Sequence, residues 1–112
     1  MVTTMSEHLP QTIPGLVTRA AEQFGATEAL VEDDVRWSYR ELADEVSRCA
    51  RALVASGVAP GDRIAIWAPN CREWVVAALG IMAAGGVLVP LNTRFKGGEA
   101  RYVLDRADVG LC

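Results

Sequence analysis

From Trp74 to Thr93 the chain runs for twenty residues without a charged side chain, and this run limits what the polypeptide can become. About twenty apolar residues is what a helix needs to cross a bilayer. Here, however, Gly85 and Gly86 lie in the middle of the run and Pro90 follows them. Neither a glycine pair nor a proline suits the interior of one continuous helix. The run therefore divides into a helix to about Ala84, a glycine turn, a buried strand over "VLVPLN" and a polar loop from Asn92, and no transmembrane segment is expected.

The same stretch imitates a phosphate loop. Gly80 and Gly85 have the Walker spacing, but Gly86 and Val87 stand where a lysine and a hydroxyl residue are required. Without them nothing neutralises the phosphates or holds magnesium. The Rossmann spacing is absent as well, and Gly80 falls in mid-helix rather than after a strand.

The flanking sequence supplies more elements. "TIPGLVTRAAEQF" places Pro14 near a helix start, with Leu16, Val17, Ala20, Ala21 and Phe24 as one apolar stripe. "ALVEDDVRWSY" reads as a hairpin around Asp33-Asp34. Ser38 and Glu41 have the spacing of a capping box. They open a helix whose inward face is Leu42, Val46, Cys49, Ala50, Leu53 and Val54 and which Gly57 stops. "VAPGDR" is a turn, and "RIAIWAP" is a strand apolar enough to be covered on both faces. Asn70 and Glu73 repeat the capping-box spacing ahead of the next helix. "GGEARYVLDRAD" gives a last helix with Ala100, Val103, Leu104 and Ala107 inward, and "VGLC" opens another strand. Alternating strands and helices with short connections predict an α/β fold with a mainly parallel sheet. Residues 1–11 are expected to be a disordered N-terminus, and a chain stopping inside a strand suggests a piece of something larger.

Composition narrows the function. A net charge of −3 over 112 residues offers no electrostatic footprint for nucleic acid. Cys49, Cys71 and Cys112 are odd in number and form no C-x-x-C pair, which argues against a disulfide framework or zinc site and for a reducing compartment. No secretory signal is visible, so a cytoplasmic location is expected. His8 is the sole histidine and lies in the N-terminal tail, so the chain offers no Ser-His or Cys-His pair.

Three stretches carry a resemblance. "WSYRELADEVSRCARAL", "GDRIAIWAPNCREWVVAALGIMAAGGVLVPLNTRF" and "GGEARYVLDRAD" resemble the N-terminal portion of AMP-forming acyl-CoA synthetases, the adenylate-forming superfamily. S-Y-R-E-L is similar to its first core motif and "GIMAAGGVLVPLN" to its second. The resemblance covers residues 12–112 and makes them the N-terminal segment of an AMP-binding domain, truncated at its C-terminal end and belonging to the enzyme's large domain.

The resemblance implies ATP, Mg2+ and CoA as substrates of the full-length enzyme. A carboxylate is activated to an acyl-adenylate with release of pyrophosphate, then transferred to the CoA thiol. The family's Ser/Thr/Gly-rich loop ending in Pro-Lys, its aromatic-Gly-x-Thr-Glu motif and its C-terminal lysine domain are not in this sequence. The chain by itself is thus expected to hold no catalytic or metal residue, to bind none of these substrates, to be inactive and to self-associate, its natural partner being the rest of the enzyme. Three other readings stand beside this one: a non-catalytic folding or interaction module, an adenylating enzyme that loads a carrier protein, and a membrane-anchored fragment using the Trp74–Thr93 run.

One residue is a site candidate. In the CoA ligases the arginine of an Asn-x-Arg segment after this strand lies near the CoA nucleotide phosphates, and Asn92-Thr93-Arg94 matches that segment. Arg94 is therefore expected to bind a CoA phosphate, with Lys96 as an accessory charge. Other residues have structural readings: Tyr39 and Glu41 at a helix entry, Trp67 and Trp74 in packing, Cys71 inert at a helix start, and Asp33, Asp34, Asp105 and Asp108 as solvated charges.

Overall fold

The computed structural model describes residues 10–112. Most of the tail expected to be disordered, including His8, lies outside the described residues. The described residues divide into two units, one up to Asp44 and one from Glu45 onwards.

In the first unit, α1 (Ile13–Phe24) begins where the Thr12 side chain accepts a hydrogen bond from the Gly15 N–H at 3.1 Å, with Pro14 in the first turn. Its apolar stripe exists, but Leu16 and Phe24 are exposed and no residue of the helix is buried. A segment this short has too little chain to cover such a face. The Phe24 ring does meet the Tyr39 ring, centroids 5.9 Å apart. The hairpin is as expected: β1 (Glu28–Glu32) pairs antiparallel with β2 (Val35–Ser38), and Glu32 faces Val35 across Asp33-Asp34. Asp33 adopts a φ of 51°, a conformation aspartate tolerates better than most residues. A register irregularity falls between Glu28 and Leu30.

The helix α2 (Tyr39–Ala55) starts on the anticipated capping box and runs across the division between the units. The Glu41 N–H donates to Ser38 Oγ at 3.1 Å, and the Ser38 N–H donates to Glu41 Oε1 at 3.0 Å. Val46 is buried, but Val54, expected inward, is exposed.

The second unit holds the parallel sheet. Strand β3 (Arg63–Ile66) pairs in parallel with β4 (Val87–Pro90), Arg63 facing Val87 and Ile66 facing Pro90. Helix α3 (Arg72–Ala83) connects them, and α4 (Gly97–Arg106) follows β4. Leu111 bridges to Ile64 in the parallel sense, and its C=O accepts from the Ala65 N–H. The residues read as the start of a strand therefore do lie alongside β3, on the edge that β4 does not use. Ala65, Leu91 and Ala100 form the core cluster, with Val89, Phe95, Val103, Leu104 and Val109 against it. Full cover on both faces is not reached: Val87 is 46% exposed.

The start of α3 differs from the sequence reading. Its N-cap is Cys71 rather than Asn70, with extended backbone and no side-chain cap bond. Glu73 is then one position too early to reach back as a capping-box residue does. Its carboxyl sits instead on its own backbone N–H and on the Cys71 thiol, and both contacts hold it below its ordinary range.

Candidate functional site

Parallel pairing brings the carboxyl ends of β3 and β4 to one edge, and ligands of open α/β sheets bind outside such edges. Trp67 leaves β3 there, and residues 91–95 leave β4. Proline has no N–H to donate, so the ladder is carried past Pro90 by the Leu91 N–H, which donates to the Ile66 C=O at 2.9 Å.

Asn92 organises the loop that follows. Its C=O accepts from the Phe95 N–H at 3.0 Å, closing a tight turn over 92–95. Its side-chain Oδ1 accepts from the Arg94 N–H at 2.9 Å, an Asx-turn. The same C=O accepts from Trp67 Nε1 at 3.2 Å, which ties the turn to the end of β3. Arg94 occupies the third position of this turn, and its side chain is exposed with no ion pair among the described residues.

Lys96 caps α4, and its N–H donates to Glu99 Oε1 at 3.3 Å. Two cations thus stand within three residues on a polar loop at the carboxyl edge of the sheet. A guanidinium so presented suits a phosphate, because its planar fork donates two parallel hydrogen bonds.

Of the other singled-out residues, Trp67 stands at this edge. Tyr39, Glu41, Asp33 and Asp34 belong to the first unit. Trp74 is half-buried on α3, whereas Trp67, read as a packing residue, is 42% exposed at the edge itself. Asp105 lies 3.5 Å from Arg101, and Asp108 lies 3.9 Å from Arg63. That second pair flanks a cleft of about 440 Å³ at the opposite, amino end of β3, lined also by Ser56, Asp62 and Leu111. Among the described residues there is no group of three His, Cys, Asp or Glu that could hold a metal ion. No helix among them is long and apolar enough to cross a membrane. Asn92 escaped the sequence reading as a site residue, although an asparagine two positions before Arg94 is an Asx-turn signal.

Residues 17–112 match the family model described as "AMP-binding enzyme". A "3-[(3aS,4S,7aS)-7a-methyl-1,5-dioxo-octahydro-1H-inden-4-yl]propanoyl:CoA ligase" of Rhodococcus jostii is 47% identical over 97 residues, which cover 87% of this chain and 19% of the relative. Among solved structures, a fatty acyl CoA synthetase of Mycobacterium tuberculosis superposes with a TM-score of 0.84 at 33% identity, covering 88% of this chain and 20% of that one. An artificially fused adenylation–PCP di-domain NRPS from Klebsiella oxytoca superposes with a TM-score of 0.86 at 27% identity, covering 93% and 20%. The chain spans about a fifth of the length of the first curated relatives it matches. In sequence and in the α/β architecture of its two units, the chain belongs to the AMP-binding, adenylate-forming enzyme family.

Proposed function

We propose that these residues are the N-terminal segment of a cytoplasmic acyl-CoA ligase, which joins a carboxylate to CoA while ATP, as its Mg2+ complex, becomes AMP and pyrophosphate. The observation that carries this reading is Arg94, set on a hydrogen-bonded turn at the carboxyl edge of β4 with its guanidinium in no ion pair among the described residues. In the whole enzyme Arg94 holds a phosphate of the CoA nucleotide, and Lys96 adds positive charge beside it. Hydrogen bonds to charged groups contribute about 1.5–3 kcal/mol, enough to set CoA affinity without touching the reacting thiol. The magnesium and triphosphate contacts belong to other parts of the longer enzyme. The chain alone binds none of the three substrates.

A carrier-protein loader is the second reading, because a structure that includes a carrier domain superposes equally well. An exposed arginine at the edge favours the nucleotide-bearing acceptor. The test is made on the longer enzyme that contains this sequence. Acid-dependent exchange of pyrophosphate into ATP is expected, followed by thioester formation with free CoA. Exchange with transfer only to a phosphopantetheinyl carrier protein overturns the CoA assignment, and no exchange with any carboxylate overturns the ligase assignment.

A further inference from the structure

We propose that Asn92 is a positioning residue for acceptor binding, holding Arg94 in place while Trp67 braces Asn92 from the neighbouring strand. The inference rests on the assignment of Arg94 to a CoA phosphate. Arg94 is exposed and has no ion-pair partner among the described residues, so its placement depends on the backbone of residues 92–95. That backbone is fixed by three hydrogen bonds that all end on Asn92: from the Arg94 N–H to Oδ1, and from the Phe95 N–H and the Trp67 indole to the C=O. Removing Oδ1 returns the Arg94 N–H to water and restores freedom to the turn, so binding must order it each time. The residue type fits the task. Aspartate would close the same turn, but its charge would compete for the guanidinium and repel a phosphate. Asparagine gives the acceptor without the charge.

The test uses the whole enzyme, with KM for CoA, kcat and pyrophosphate exchange measured together. Arg94→Ala should raise KM for CoA about tenfold or more and leave exchange unchanged. Asn92→Ala should raise it about three- to tenfold, again without loss of exchange, as fits one neutral hydrogen bond. Asn92→Ser, whose hydroxyl forms the same turn more weakly, should recover part of the loss. Trp67→Phe, which keeps the ring and removes the donor, should raise KM for CoA about two- to fivefold. Added to Arg94→Ala, Asn92→Ala should have no further effect, since coupled residues do not add.

Several results would overturn the inference. If Arg94→Ala raises KM while Asn92→Ala and Trp67→Phe do not, Asn92 positions nothing and the phosphate assignment survives. Parallel loss of exchange in Asn92→Ser and Trp67→Phe would make the turn merely structural. An unchanged KM in Arg94→Ala removes the phosphate assignment and the positioning role with it. If Asn92→Ala fails to fold, the serine and phenylalanine variants decide the matter.

Discussion

Gly80 of α3 lies so close to Cys49 of α2 that a Cβ on the glycine would stand 2.5 Å from the cysteine sulfur and 2.8 Å from its Cβ. This contact is the reason for a glycine in mid-helix. Burial also pushes the Cys49 thiol above its ordinary value, so the sulfur stays protonated at neutral pH and acts as packing. Alanine in place of a helical glycine normally stabilises by about 1 kcal/mol. Here overpacking, at about 1–3 kcal/mol, should outweigh that gain. Gly80→Ala is expected to lower the urea midpoint of the enzyme. Adding Cys49→Ala should restore only part of it, because the Cβ conflict remains. A raised midpoint in Gly80→Ala would show that the two helices separate without cost.

The reciprocal bonds of Ser38 and Glu41 make a second prediction. Ser38→Ala should destabilise the start of α2 by about 1 kcal/mol, and Ser38→Asp should keep most of the cap. Hydrogen exchange at the Glu41 amide is the direct measure. Equal protection in the alanine variant would mean that packing, not the cap, holds this helix end.

The third prediction concerns pH. The carboxyl of Glu73 is held below its ordinary value of 4.5, first by its own backbone N–H and then by the Cys71 thiol. A depressed carboxyl contributes stability that is full above the unfolded value and lost as pH falls through the folded one. The contribution therefore fades from about pH 4.5 downwards. Glu73→Gln should flatten that part of the stability curve and change little at neutral pH. A variant that loses stability in acid as steeply as the parent would assign the effect to other carboxyls.

A fourth prediction is made for the 112-residue chain by itself. Val87 and Leu111 are 46% and 45% exposed on the parallel sheet, whose strands ordinarily have cover on both faces. Self-association is expected, together with binding of an apolar dye and no acid-dependent pyrophosphate exchange. A monomeric sedimentation profile without dye binding would mean that the exposed apolar surface is tolerated as it stands.

Local chemistry was the most legible part of the sequence. The Ser38–Glu41 box, the Asp33-Asp34 hairpin and the parallel pairing of the two apolar strands follow from residue spacing and turn chemistry, and the observed elements agree. What spacing could not give was cover. Periodicity marks Leu16, Phe24 and Val54 as an apolar face but does not say whether anything lies over that face. The cap of α3 slipped from Asn70 to Cys71 because two residues at a helix start can compete for one role, and backbone geometry decides between them. At the candidate site, Arg94 was singled out by its place after β4 and by the resemblance to the CoA ligases. The hold of Asn92 on it depends partly on Trp67, twenty-five residues away in sequence, and no local pattern records that distance.

The bridge from Ile64 to Leu111 also sets a schedule for synthesis. β3 can take β4 as its partner once Pro90 has emerged, but the neighbour on its other edge is made about twenty residues later. At about 5–20 residues per second, that edge waits on the order of one to four seconds beside the ribosome with its donors and acceptors unclaimed. Nascent chains crowded on one message are then most able to pair wrongly with each other, so the interval is the one in which a chaperone would do most for this protein.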